Sequence, residues 1–209
     1  MKPLNEFWTI VLVGKWNTNI FTTEWVIKNL DFNEESTKME INLADFSHRL
    51  YDDELILIPK QDRLIIGLKN ITDDLLKKLG KTAKKIVETL PHTPINSYGI
   101  NFGFSEENSS HELSKLFTHS DLGDISSAGG TILDILIKKT IQFTEYELRQ
   151  NITFYYEKPS YVIHLNFHHL FDFETMKRIF ETKILEYKEK AVDFLKTVYC
   201  LEQKGETDE

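Results

Sequence analysis

The residues best suited to chemistry fall in one run, His164-Leu-Asn-Phe-His-His-Leu-Phe-Asp172, which holds three of the chain's seven histidines. Imidazole and carboxylate suit zinc or iron, and imidazole also titrates near neutral pH. If the run is a strand, His164, Asn166 and His168 share one face, opposite the apolar residues. At about 3.3 Å per residue, His164 and His168 then stand about 13 Å apart, too far to share an ion unless the strand ends or bends between them. His168, His169 and Asp172 could still meet at the following loop. No Cys-x-x-Cys or His-Glu-x-x-His accompanies them. The spacing therefore predicts no metal site and no cofactor, and polar surface or satisfied core is the commoner role of such histidines.

A second polar set lies between His92 and Phe104. Tyr98, Ile100, Phe102 and Phe104 alternate with Ser97, Gly99, Asn101 and Gly103. One face is bulky and the other nearly bare, which lets something approach the backbone closely. A helix, a large side chain such as Trp16, or a ligand would serve, packing being the commoner case.

Other chemistries lack signatures. Cys200 ends a long helix, where the negative end of the dipole raises a thiol pKa and disfavours a nucleophile. No Gly-x-Ser-x-Gly elbow, Gly-x-x-x-x-Gly-Lys-Ser/Thr loop or Gly-x-Gly-x-x-Gly motif occurs. Gly99 and Gly103 sit inside a strand pattern and form no phosphate loop. The pairs Asp52-Asp53, Asp73-Asp74 and Glu106-Glu107 fall in turns and helix starts, where acids are favoured structurally. Lys77, Lys78, Lys81, Lys84 and Lys85 make a basic run on a helix face, the one hint of nucleic acid.

The elements that must position these residues follow from periodicity. Phe7 to Lys15 reads as a buried strand, and Trp16 to Phe21 as a loop. A helix over about Thr23 to Leu30 follows, capped by Thr22 or Thr23, with Trp25 facing inward. Met39 to Leu43 alternates as a half-exposed strand, and Leu55 to Ile58 with Leu64 to Leu68 reads as a hairpin. Thr72 caps a helix with Leu75, Leu79, Ala83, Ile86 and Leu90 as its buried stripe, and Pro91 stops it. After the strand at Ile95 to Phe104, Ser105 to Ser127 is the least regular stretch, with a short helix around His111 to Phe117 capped by Ser109 or Ser110. Leu133 to Phe143 and Tyr146 to Tyr156 alternate with opposite phase, so a turn or bulge belongs near Thr144-Glu145. A turn at Pro159-Ser160 leads to the strand Tyr161 to Phe167. Asp172 then caps a helix with Met176, Phe180, Ile184, Tyr187, Ala191, Phe194 and Val198 as its stripe. At about 1.5 Å per residue that helix is about 42 Å long, and an overhanging end could meet a partner subunit.

The order hairpin, strand, capped helix occurs twice, at Leu55 to Leu90 and Asn151 to Val198. The expected fold is α+β: largely antiparallel sheet in two hairpin-plus-helix halves, each covered by an amphipathic helix, with a long C-terminal helix. The expected organisation is a single domain over 1–201, with pseudo-repeated halves at about 1–105 and 125–201, and a flexible acidic tail at 202–209.

In the full 209-residue chain, 25 lysines and arginines against 33 aspartates and glutamates leave a net charge of −8. That balance disfavours phosphate-backbone binding, so nucleic acid is not the expected partner. One cysteine excludes an intrachain disulfide and fits a reducing compartment. No window approaches the roughly 20 apolar residues of a spanning helix, and no secretory signal pattern is present, so no membrane association is expected and the expected location is cytoplasmic.

Two stretches resemble a group of uncharacterised bacterial proteins related to the TIGR04255-type family. Val13-Gly-Lys-Trp-Asn-Thr-Asn-Ile-Phe-Thr-Thr-Glu-Trp25 is similar to that group's aromatic-Asn-Pro-x-Ile-Phe run followed by Pro-x-Trp. His92-Thr-Pro-Ile-Asn-Ser-Tyr-Gly-Ile-Asn101 is similar to its His-Thr-Pro-Val-x-x-Leu-Gly-Ile-Asn run, and the strand around Asn166 and His168 to its Asn-x-His strand. Thr18 and Thr23 stand where prolines are usual there. The resemblance implies a bacterial cytosolic α+β protein and brings no activity, substrate or cofactor.

The candidate ligand-binding residues are therefore Asn17, Trp25, His92, Asn101, His164, Asn166 and His168, with none assigned to catalysis or metal. The expected function is a non-catalytic interaction or assembly subunit, with a protein partner or self-association. The alternatives are a small-ligand or metal-dependent enzyme on the polar Asn/His strand face, and a nucleic-acid-sensing module.

Overall fold

Ile, Val, Leu and Phe at every second residue form strands whose alternate side chains can be buried together. In chain order the elements are β1 (Lys2–Pro3), β2 (Thr9–Gly14), α1 (Thr23–Leu30), β3 (Lys38–Asn42), β4 (Ser47–Tyr51), β5 (Leu55–Pro59), β6 (Arg63–Leu68), α2 (Asp73–Thr89), β7 (Ile95–Glu107), α3 (His111–Leu116), α4 (Leu122–Ser127), β8 (Leu136–Phe143), β9 (Leu148–Glu157), β10 (Ser160–Leu170), α5 (Phe173–Arg178) and α6 (Ile184–Tyr199). These come from a computed structural model, which describes residues 1–44, 47–107, 111–118, 120–143, 148–157 and 159–202.

Among the described residues the strands form one sheet in the order β3-β4-β5-β6-β2-β7-β10-β9-β8, with β1 added to β7. Every pairing is antiparallel. The α+β class and the two hairpin-plus-helix units are present. The hairpins β5–β6 and β9–β10 flank the central pair β2 and β7, so both units share one sheet.

Three caps fasten the helices. The Thr22 and Thr72 hydroxyls accept from the Trp25 and Leu75 amides at 3.2 Å, and the Asp172 carboxylate accepts from the Thr175 amide at 2.8 Å. Each satisfies a first-turn N–H that has no partner within its helix. The cap at Ser109 or Ser110, the turn at Thr144-Glu145 with Tyr146, and the tail from 203 onward lie outside the described residues.

The core forms where the helices meet one face of the sheet. Leu76, Leu79, Ala83 and Ile86 of α2 and Met176, Phe180, Ile184, Ala191 and Leu195 of the C-terminal helical segment are buried with Ile10, Leu12, Ile66, Ile100 and Phe154. Edge-to-face aromatic contacts run through the centre: Trp8 on Phe102 at 5.0 Å, Phe102 on Phe167 at 6.1 Å and Phe167 on Tyr187 at 5.2 Å. Such pairs add about 0.5–1.5 kcal/mol each to plain burial.

Several details differ from the periodicity. The C-terminal helix is interrupted by a π turn, Ile179–Lys183, where the Phe180 carbonyl leans on Gly80 of α2 so closely that a Cβ there would be 2.6 Å from it. Its end does not overhang: Leu195, Tyr199 and Leu201 are buried, Tyr199 meets Phe154 at 4.9 Å, and of the expected stripe Val198 faces solvent at 53% exposure. Strand β4 and helix α4 had no clear periodic signal. Strand β7 runs on into the start of the stretch expected to be irregular and takes in Glu106 and Glu107, expected in a turn or helix start, because they pair with Tyr161 and Ser160 of β10. Strand β8 begins at Leu136, and Leu133 lies 94% exposed before it. No helix among the described residues is long and apolar enough to cross a membrane.

Candidate functional site

Because α2 and the α5–α6 segment cover one face, alternate residues of the central strands are left on the other. Register stacks their middles into a row: Thr9 of β2 opposite Asn101 of β7, Asn101 opposite Asn166 of β10, Asn166 opposite Asn151 of β9, and Asn151 opposite Thr140 of β8. The row is hydrogen-bonded from end to end in one direction. Thr140 Oγ1 donates to Asn151 Oδ1 at 2.8 Å, and Asn151 Nδ2 donates to Asn166 Oδ1 at 3.0 Å. Asn166 Nδ2 donates to Asn101 Oδ1 at 2.8 Å, and Asn101 Nδ2 donates to Thr9 Oγ1 at 3.0 Å. The carboxamides line up head to tail, an arrangement in which each bond polarises the next. Each amide nitrogen carries two hydrogens, so Asn151 and Asn166 each keep one N–H beyond the row.

The glycines explain why the row fits. A Cβ on Gly99 would overlap the Asn166 carboxamide, and one on Gly103 would overlap Phe7. The bare face of β7 therefore admits two side chains, Asn166 and Phe7, where Trp16 had been the candidate. Trp16 is buried elsewhere, its Nε1 donating to the Leu12 carbonyl at 3.1 Å.

His164 and His168 flank Asn166 on the same strand face. His164 stands opposite Gly103 with its ring 5.4 Å from that of Phe7, and His168 stands opposite Gly99 and Arg149. Burial holds the pKa of His164 below the ordinary imidazole value, and burial together with the Arg149 charge does the same for His168. Both rings are thus neutral at pH 7, each with one donor and one acceptor nitrogen. Together with Val11, Val13, Lys138 and Thr153 they line an open depression of about 310 Å³, at the lower end of small-ligand sites.

The other candidates are placed apart from this row. Asn17 and His92 line a separate groove of about 320 Å³ with Trp16, Phe21, Pro91 and Pro94. There Asn17 has a local duty, its Oδ1 accepting from the Asn19 amide at 3.2 Å. Trp25 lines neither space and sits edge-on to Phe21 at 5.2 Å. His168, His169 and Asp172 do not converge. Alternation turns His169 inward, where it stacks on Tyr98 at 4.8 Å, while Asp172 is occupied as a helix cap. His169 Nε2 and the Tyr98 hydroxyl are buried without a hydrogen-bond partner among the described residues. Burial, with the charges of His168 and Lys190, lowers the His169 pKa to about 4, and burial raises those of Tyr98 and Tyr187, the latter to about 12. Among the described residues no group of three or more His, Cys, Asp or Glu side chains could hold a metal.

The basic run on α2 faces its own acids. Lys77 pairs with Asp74, Lys78 with Glu54, Lys84 with Glu88 and Glu181, and Lys85 with Asp31.

The sequence reading missed Thr9, Lys138, Thr140 and Asn151. Their outward phase was legible in the alternation of β2, β8 and β9, but their partners depend on strand order. Comparison with models of known families finds no match, and comparison with curated proteins finds no relative.

Proposed function

We propose that this protein is a non-catalytic binding subunit that works through the uncovered face of its sheet. The observation that carries the reading is the five-strand Asn/Thr row, held rigid by its own hydrogen bonds beside a solvent-open depression. A side-chain row with spare N–H groups is built to hold a shape and offer donors. The two imidazoles are set four residues apart, and no carboxylate is among the described residues lining the depression to orient or pair with either. The lone cysteine, Cys200, is free and exposed, which suits a reducing, cytoplasmic setting.

NMR of the Asn side-chain amides tests the reading. Titration with phenyl phosphate, benzoate, anilinium and benzyl alcohol is expected to shift the Asn151 and Asn166 signals before any amide of α2. No shift with any of the four at millimolar concentration would overturn it.

Self-association is the second reading. It is favoured by Leu133 and Leu136, 94% and 60% exposed, beside β8 at the end of the sheet order. Light scattering at micromolar concentration is expected to give a dimer that Leu136→Lys dissociates, and a monomer would remove this reading.

A further inference from the structure

The chain carries 33 acids against 25 bases. Asp73, Asp74, Glu88 and Glu181 lie on the helical side, each beside a lysine. No carboxylate is among the described residues lining the depression, while Lys138 is. Arg149 stands on the same face, beside His168 across the β9–β10 pair. Neither Lys138 nor Arg149 makes an ion pair among the described residues. A cation without an ion-pair partner among the described residues, in a depression with no acid among its described lining residues, is a charge available to something else.

The neutral groups there agree in sign. Asn151 and Asn166 each have one uncommitted N–H, and neutral His164 and His168 can each donate one more. Beside them Val11 and Val13 form an apolar margin, Val13 being 38% exposed.

We infer that the depression on the open sheet face binds a small organic oxyanion, a carboxylate or phosphate ester, with its charged end toward Lys138 and the Asn N–H groups and its apolar body against Val11 and Val13. Charge-assisted hydrogen bonds from an ammonium and two amides favour an anionic oxygen over a neutral one. The volume of about 310 Å³ suits a single ring with its headgroup better than a polymer.

This ligand class presupposes that the open face binds at all, so the test separates the two. Dissociation constants are measured by following the Asn151 and Asn166 side-chain amides against the same four probes, in the unaltered chain and in Lys138→Gln. Phenyl phosphate or benzoate is expected to bind at least about tenfold more tightly than benzyl alcohol, and Lys138→Gln to weaken it by about tenfold. Raising sodium chloride from 50 to 200 mM is expected to weaken it several-fold. The tighter of the two anions names the headgroup. Lys81→Gln, on the helical side, is expected to leave the constants unchanged. If benzyl alcohol or anilinium shifts the same amides as strongly as the anions, the oxyanion class is wrong while the face remains a binding surface. If Lys138→Gln binds the anions unchanged, the assignment of the charged end falls. If no probe shifts these amides, both the class and the binding face fall.

Discussion

Strands β7 and β10 show two unlike faces made by the same backbone. On the covered face Ile100, Phe102, Phe104, Ile163, Leu165 and Phe167 are buried against helices and each other. On the open face the same strands present Gly99, Asn101, Gly103, His164, Asn166 and His168. The covered face gains its stability from apolar area and close packing, terms that tolerate no missing volume. The open face gains little from burial. Its order comes from hydrogen bonds whose net worth is small but whose geometry is strict. One face therefore holds the protein together and the other holds a pattern, and substitutions separate the two roles.

The largest effect is expected on the covered face. Phe102→Ala removes a fully buried ring that touches Trp8 and Phe167, and should cost about 3–5 kcal/mol in urea unfolding. A loss under about 1 kcal/mol would show that the core does not depend on this aromatic chain. Gly80→Ala is expected to cost about 1–3 kcal/mol, because the new Cβ would be 2.6 Å from the Phe180 carbonyl, backbone that cannot swing aside. An unchanged midpoint would mean that the π turn and α2 part easily.

On the open face, Asn166→Leu cuts the row at its centre and leaves Asn151 and Asn101 each short of one partner. The expected cost is about 1–2 kcal/mol, since Asn151 can still reach water while the nearly buried Asn101 is left with an unpaired oxygen. It should also broaden or shift the Asn101 and Asn151 amide signals. A cost equal to that of Phe102→Ala would erase the distinction between the faces.

A further effect depends on pH. His169, turned to the covered side, has a pKa near 4 in the folded chain against about 6.5 when unfolded. Between those values the unfolded chain binds a proton that the native state does not, so stability falls as pH drops from about 6.5 to 4 and is fully present above 6.5. His169→Leu is expected to lose less thermal stability than the unaltered chain between about pH 7 and pH 4.5. Equal losses would assign the acid sensitivity to other groups, His164 and His168 first.

Much of this was legible along the chain. The alternation of Tyr98 to Phe104 and of Tyr161 to Phe167 separates inward from outward residues, and it placed Asn101, His164, Asn166 and His168 outward. Thr22, Thr72 and Asp172 cap as their types imply, and Pro91 follows the end of α2. Strand β4, Ser-His-Arg-Leu-Tyr, was not legible, because only Leu50 of its five residues is buried and a single apolar residue makes no period. Nor could the sequence divide the candidates into a row and a groove, since Asn17 and His92 line one groove only once the segments after β2 and after α2 are brought together.

The sequence by itself determined which side of each strand a residue occupies and where the helices start, because both depend on neighbours one to four positions away. The tertiary structure alone decided that three asparagines from three strands would share one row, and that this row would be the face the helices leave open. Strand order and register join residues as far apart as Thr9 and Asn101, and no local period carries that information.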